Sequence, residues 1–115
     1  MLEVAIAAAV LGYSLLLVLP AIEWQMQGGA VLALVGLFGG GGAGIVYHVM
    51  LRRALRRLGA PARGWLWSPV SCHALLDDQG RRDVLRWFGL GAAGFFVCVA
   101  GLGLVAAATV RAIVS

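Results

Sequence analysis

Hydrophobic positions along this chain fall into three long blocks that no Asp, Glu, Lys or Arg interrupts: residues 4–22, 28–51 and 87–110. Each supplies the roughly 20 apolar residues needed to cross a hydrocarbon core of about 30 Å. In lipid the backbone must satisfy its own hydrogen bonds, and within a single segment only a helix does so. The pattern predicts an all-α integral membrane protein, a single membrane domain over residues 1–115 with three transmembrane helices. Between spans two and three lies a basic loop, residues 52–86, expected to fold as a cytoplasmic helical hairpin.

Within this frame the local signals are specific. Span one ends near Pro20, which sits in its last turn and does little harm to the ladder there. Glu23 and Trp24 mark a membrane interface, and residues 25–29 read as a short turn that makes spans one and two an antiparallel pair. In span two, Gly36, Gly40 and Gly44 recur every four residues and share one helix face, the small-xxx-small arrangement that admits another helix closely. The face is expected to receive span one or three, or a partner subunit or second copy. Span three repeats the theme with Gly94 and Gly101.

Beyond His48 the second helix is expected to run on into water, with Leu51, Leu55 and Leu58 as an apolar edge near anionic headgroups, and to stop at Gly59 and Pro61. Trp65 and Trp67 point the same way if the loop is extended. Ser68-Pro69 reads as an N-cap with proline at the first helical position. It opens a short helix to about Gln79, with Val70, Leu75 and Leu76 as its apolar residues, broken at Gly80.

Composition supports the membrane reading: 62% hydrophobic and 12% charged residues, with a mean hydropathy of +0.94, do not suit a domain in water. The net charge of +4 changes the picture through its location. Eight of the nine arginines (Arg52, Arg53, Arg56, Arg57, Arg63, Arg81, Arg82 and Arg86) lie in the 52–86 loop. Arginine on a short loop marks the cytoplasmic side, so the loop and the N-terminus are placed inside a multi-pass inner-membrane protein, with Arg111 dissenting. The same location argues against nucleic acid as a partner and for membrane lipids and other membrane subunits. Asp77, Asp78 and Asp83 are candidates to pair with Arg52–Arg57. Cys72 and Cys98 face no oxidising compartment on this topology, so no disulfide is expected. The first block carries Glu3 and no preceding Lys or Arg, and is read as a retained span rather than a signal peptide.

Candidate chemistry is sparse. His73 and Asp78 form an H-x-x-x-x-D pattern similar to that of glycerolipid acyltransferases, in which the His is a general base oriented by the Asp. The companion substrate block of that family is absent and the chain is too short for its fold. Cys72, His73 and Asp77 have no metal-site spacing such as CxxC or HxxxH behind them. His73 is expected to bond a backbone carbonyl. His48, within about one turn of the membrane edge and next to Tyr47, resembles in position the haem b ligand of three-span respiratory anchor subunits, which implies haem or a quinone shared with a partner. No carboxylate lies at depth in any span, which argues against a proton-carrying rotor helix or a coupled transporter.

The leading expectation is a non-catalytic small subunit of a larger membrane complex. It would pack through its Gly-rich faces and dock a partner or anionic headgroups through Arg52, Arg53, Arg56, Arg57, Trp65, Trp67, Arg81, Arg82 and Arg86. The alternatives are a haem- or quinone-associated anchor using His48 and a self-assembling pore, holin-like oligomer or filament.

Overall fold

The computed structural model describes residues 1–59 and 65–115; Pro61, expected to help end the second helix, and Arg63 of the basic loop lie outside them. The described chain is 88% helical and contains no strand. Helix α1 runs Leu2–Val18, α2 Ile22–Arg57 and α3 Asp78–Val114, with a 3-10 helix at Pro69–Leu75 between the last two. Helices α2 and α3, of 36 and 37 residues, are each long and apolar enough to cross a membrane. At about 1.5 Å per residue both exceed a 30 Å core by some 25 Å. α1 is shorter, 17 residues, uncharged after Glu3 and without a buried residue.

The chain forms two compact units, residues 1–36 with 96–115, and residues 37–95. In the first, the turn after α1 is not at residues 25–29, which are helical, but at residues 19–21. Proline decides the position. Pro20 has no N–H to give the carbonyl of Leu16, so the ladder fails there and α2 begins at once. The freed carbonyls of Leu16 and Leu17 accept from the side-chain amide of Gln25, at 2.9 and 2.7 Å. Gln25 is 2% exposed, and its own oxygen accepts from Arg111 at 3.0 Å while Arg111 also donates to the carbonyl of Pro20 at 2.7 Å. Arg111, the dissenting charge, thus closes the turn between α1 and α2.

Elsewhere in this unit Tyr13 donates to the carbonyl of Ala100 at 2.7 Å. Gly29 and Gly101 let the α2 and α3 backbones touch: a Cβ on Gly29 would stand 2.7 Å from the carbonyl oxygen of Gly101. Ser14 and Thr109 donate back to the carbonyls of Val10 and Val105 in their own helices, which leaves no hydroxyl unpaired on these apolar helices.

The second unit has its own close crossing, where a Cβ on Gly40 would lie 3.0 Å from the Cα of Gly94. Below it, Tyr47, Leu51, Ala54, Leu55, Cys72, Leu76 and Val84 form a buried cluster with Met50, Trp65 and Trp87 at its edge. The apolar edge anticipated on α2 is therefore spent inside the chain. Leu51 and Leu55 are fully buried, while Leu58 is 41% exposed. Gly59, at φ 66°, ends α2 in the left-handed region that favours glycine.

The segment before α3 also departs from expectation. The short helix is 3-10 rather than α and stops at Leu75, and its buried side is Cys72 with Leu76, leaving Val70 and Leu75 exposed. Gly80 does not break anything. Asp77 caps α3 by accepting from the Gly80 N–H at 2.9 Å, so the helix starts at Asp78 and carries Gly80 in its first turn. Cys72 and Cys98 are not joined by a disulfide.

Candidate functional site

The residues with chemistry in the second unit gather on the last four turns of α2 and the segment facing them. His48 is the pivot. Its Nδ1 lies 2.9 Å from the carbonyl oxygen of Gly44, one turn back. A carbonyl only accepts, so Nδ1 is the donor of this bond, and in the tautomer this selects Nε2 is the acceptor nitrogen. Nothing among the described residues bonds that Nε2.

His48 lies on the wall of a groove of about 640 Å³. One end is apolar and nearly without side chains, formed by Gly41, Gly44, Ile45 and Val49; the other is basic, formed by Arg52, Arg53 and Arg56. Trp65 and Leu66 close the side. The guanidinium of Arg52 stands 5.1 Å over the Trp65 ring, and His48 meets the same ring edge-on at 6.0 Å. No carboxylate is among the described residues that line the groove.

On the neighbouring face of α2, Tyr47 is buried and its hydroxyl lies 2.6 Å from Nε2 of His73. Phe88 packs against both rings at 5.4 and 5.6 Å. A smaller cavity of about 250 Å³ opens there, lined by Tyr47, His48, Pro69, Trp87 and Phe88 with Gly40, Gly44 and Gly91. Burial, and then the nearby Arg81 charge, hold the His73 pKa below its ordinary value, so the ring is kept neutral. The partner of His73 is a phenol 26 residues away rather than a backbone carbonyl. Asp78 does not orient this histidine: it opens α3, and its carbonyl accepts from Arg82. Among the described residues no group of three or more His, Cys, Asp or Glu is placed to hold a metal ion.

The anticipated arginine set divides by role. Arg57 pairs with Asp77 at 3.4 Å, both side chains about half exposed. Arg81 donates to the carbonyls of His73 and Leu76 at 3.3 Å each, closing the end of the 3-10 helix. Arg82 bonds its own helix at 3.4 Å, and Arg86 is exposed on α3. Among the described arginines, Arg52, Arg53 and Arg56 line one groove. Trp65 belongs to it, whereas Trp67 is 90% exposed, because residues 65–67 form a turn rather than an extended strand. Tyr47 and Arg52 line different cavities.

Of the glycine face, Gly36 is buried, Gly40 is taken up by Gly94, and Gly44 adjoins Gly91 yet would have open space around an added Cβ. Sequence reasoning missed Gln25, whose only signal was the proline five residues before it. It also missed the Tyr47–His73 bond, for which no local spacing exists. Compared with known protein families, curated proteins and solved structures, the chain matches none.

Proposed function

We propose that this chain is a non-catalytic, three-span subunit of a larger membrane assembly, with its N-terminus and basic segment on the cytoplasmic side. The observation that carries this reading is the glycine run of α2. Gly40 is used within the chain, but Gly39, Gly41, Gly42 and Gly44 have nothing within 4 Å of where a side chain would begin. Each helical glycine costs about 1 kcal/mol relative to alanine. A bare helix surface is useful where another backbone or a ligand comes close, and Gly39 and Gly42 lie off the His48 groove. The uncharged course of α1 beyond Glu3, with Arg111 and Gln25 sealing its end, supports its role as a third span. At 17 residues it reaches about 25 Å, within the range of short spans.

The test is purification from gently solubilised membranes with every co-purifying chain counted, for the native protein and for Gly39→Leu with Gly42→Leu. Stoichiometric foreign chains that the double variant loses support the reading. Recovery of the native chain alone, as a monomer, would remove it. A defined multimer of this chain alone would replace it with self-assembly.

A second reading is favoured by one bond. His48 donates through Nδ1 to a backbone carbonyl, the arrangement that orients a metal-ligating histidine and leaves Nε2 for the metal. With arginines nearby for carboxylates, this suits a haem whose other axial ligand comes from a partner. A visible absorption band from haem in the purified complex, lost in His48→Phe, is the expected sign.

A further inference from the structure

We infer that the His48 groove binds one anionic glycerophospholipid whose headgroup carries a free hydroxyl, as in phosphatidylglycerol. The inference rests on the membrane reading above and gives this site its ligand. The first argument is polarity order. From Gly41 to Arg56 the groove lining passes from bare helix backbone and Ile45 to guanidinium groups, over about 22 Å of helix. An acyl chain against the glycines and a phosphate at Arg52 and Arg56 match it in sequence.

The second argument is charge. Arg52, Arg53 and Arg56 line the groove and no carboxylate is among its described lining residues. Asp77 is engaged with Arg57 and the Gly80 N–H, and Asp83 borders a separate cavity on the other side of Arg53, which leaves Arg52 and Arg56 as the principal phosphate contacts. A guanidinium lying over an indole still presents its N–H edge, the fork that fits phosphate oxygens. The third argument selects the headgroup. With Nδ1 donating to Gly44, His48 offers only an acceptor at Nε2. A headgroup hydroxyl satisfies it. A quinone carbonyl, itself an acceptor, does not. Choline and ethanolamine headgroups bring a positive charge beside three arginines and are disfavoured.

The experiment uses the full chain in phosphatidylcholine vesicles, with Trp24, Trp67 and Trp87 changed to Phe so that Trp65 reports alone. Phosphatidylglycerol with brominated acyl chains is expected to quench Trp65 saturably as a minor lipid component, with competition by unlabelled phosphatidylglycerol. Arg52→Gln with Arg56→Gln should weaken the half-saturation point about tenfold or more. His48→Phe should remove the preference for phosphatidylglycerol over phosphatidylmethanol, which is anionic but has no headgroup hydroxyl, and leave the preference for anions.

Quenching that rises without saturation and equally with brominated phosphatidylcholine would overturn the site. So would displacement by inorganic phosphate at comparable concentration, which would make the occupant a free anion, or a haem band in the protein as purified. Retention of the phosphatidylglycerol preference in His48→Phe would overturn the headgroup assignment. Vesicle flotation separates the two levels. A chain that floats with the vesicles but lacks saturable quenching loses only the lipid site, whereas one that does not float loses the membrane reading itself.

Discussion

The guanidinium of Arg111 donates to the carbonyl oxygen of Pro20 at 2.7 Å, across 91 positions of sequence. Gln25 sits between them in the same network, holding the last carbonyls of α1 with its amide nitrogen and Arg111 with its oxygen. Replacing Gln25 by Leu strands two carbonyls and a guanidinium donor in a buried position. The expected loss is about 2 kcal/mol, from the cost of buried polar groups without partners. Denaturant unfolding in mild detergent checks it, with the exposed Gln27→Leu as a control expected to stay within about 0.5 kcal/mol of the native chain.

Asp77 has two contacts of unequal value, the helix cap at Gly80 and the ion pair with Arg57. The pair is about half exposed on both sides and contributes little. Asp77→Ala should therefore destabilise by about 1 kcal/mol, while Asp77→Asn, which still caps, should lose no more than about 0.5 kcal/mol. Unfolding midpoints of the two variants decide between cap and charge. An Asn variant as weak as the Ala variant would assign the stability to the ion pair.

His73 makes stability depend on pH. Its folded pKa is held below the ordinary 6.5 by burial and then by Arg81. The unfolded chain therefore binds the proton first as pH falls. Stability is full above the unfolded value, declines as pH drops below 6.5, and levels once pH is below the folded value. Thermal midpoints across this window should fall with acidity in the native chain, and this component of the slope should be absent in His73→Gln. Tyr47→Phe should lower stability at neutral pH as well, since it leaves His73 Nε2 without the 2.6 Å partner.

The two long apolar helices, the continuation of α2 to Leu58's neighbour Arg57 and its stop at Gly59 were all approachable from the sequence. They rest on local rules: block length, i/i+4 spacing, the freedom of glycine at positive φ. Gly40 and Gly94 likewise announced a close crossing, because only a residue without Cβ allows backbones to come within such range. Errors clustered where a side-chain hydrogen bond satisfies backbone groups that a local signal leaves open. Gln25 looks like a turn residue until the carbonyls freed by Pro20 are counted. Gly80 looks like a breaker until Asp77 is seen to cap across it.

By itself the sequence determined an all-helical chain with apolar blocks of membrane length and a concentrated arginine segment, because these follow from composition and period along one dimension. The tertiary structure alone decided which arginines are spent on carbonyls and Asp77 and which remain for the groove. It also decided that His73 answers to Tyr47 and that Arg111 answers to Pro20. Hydrogen-bond partners are fixed by where helices cross, and a crossing is a property of packing that no single segment of the chain contains.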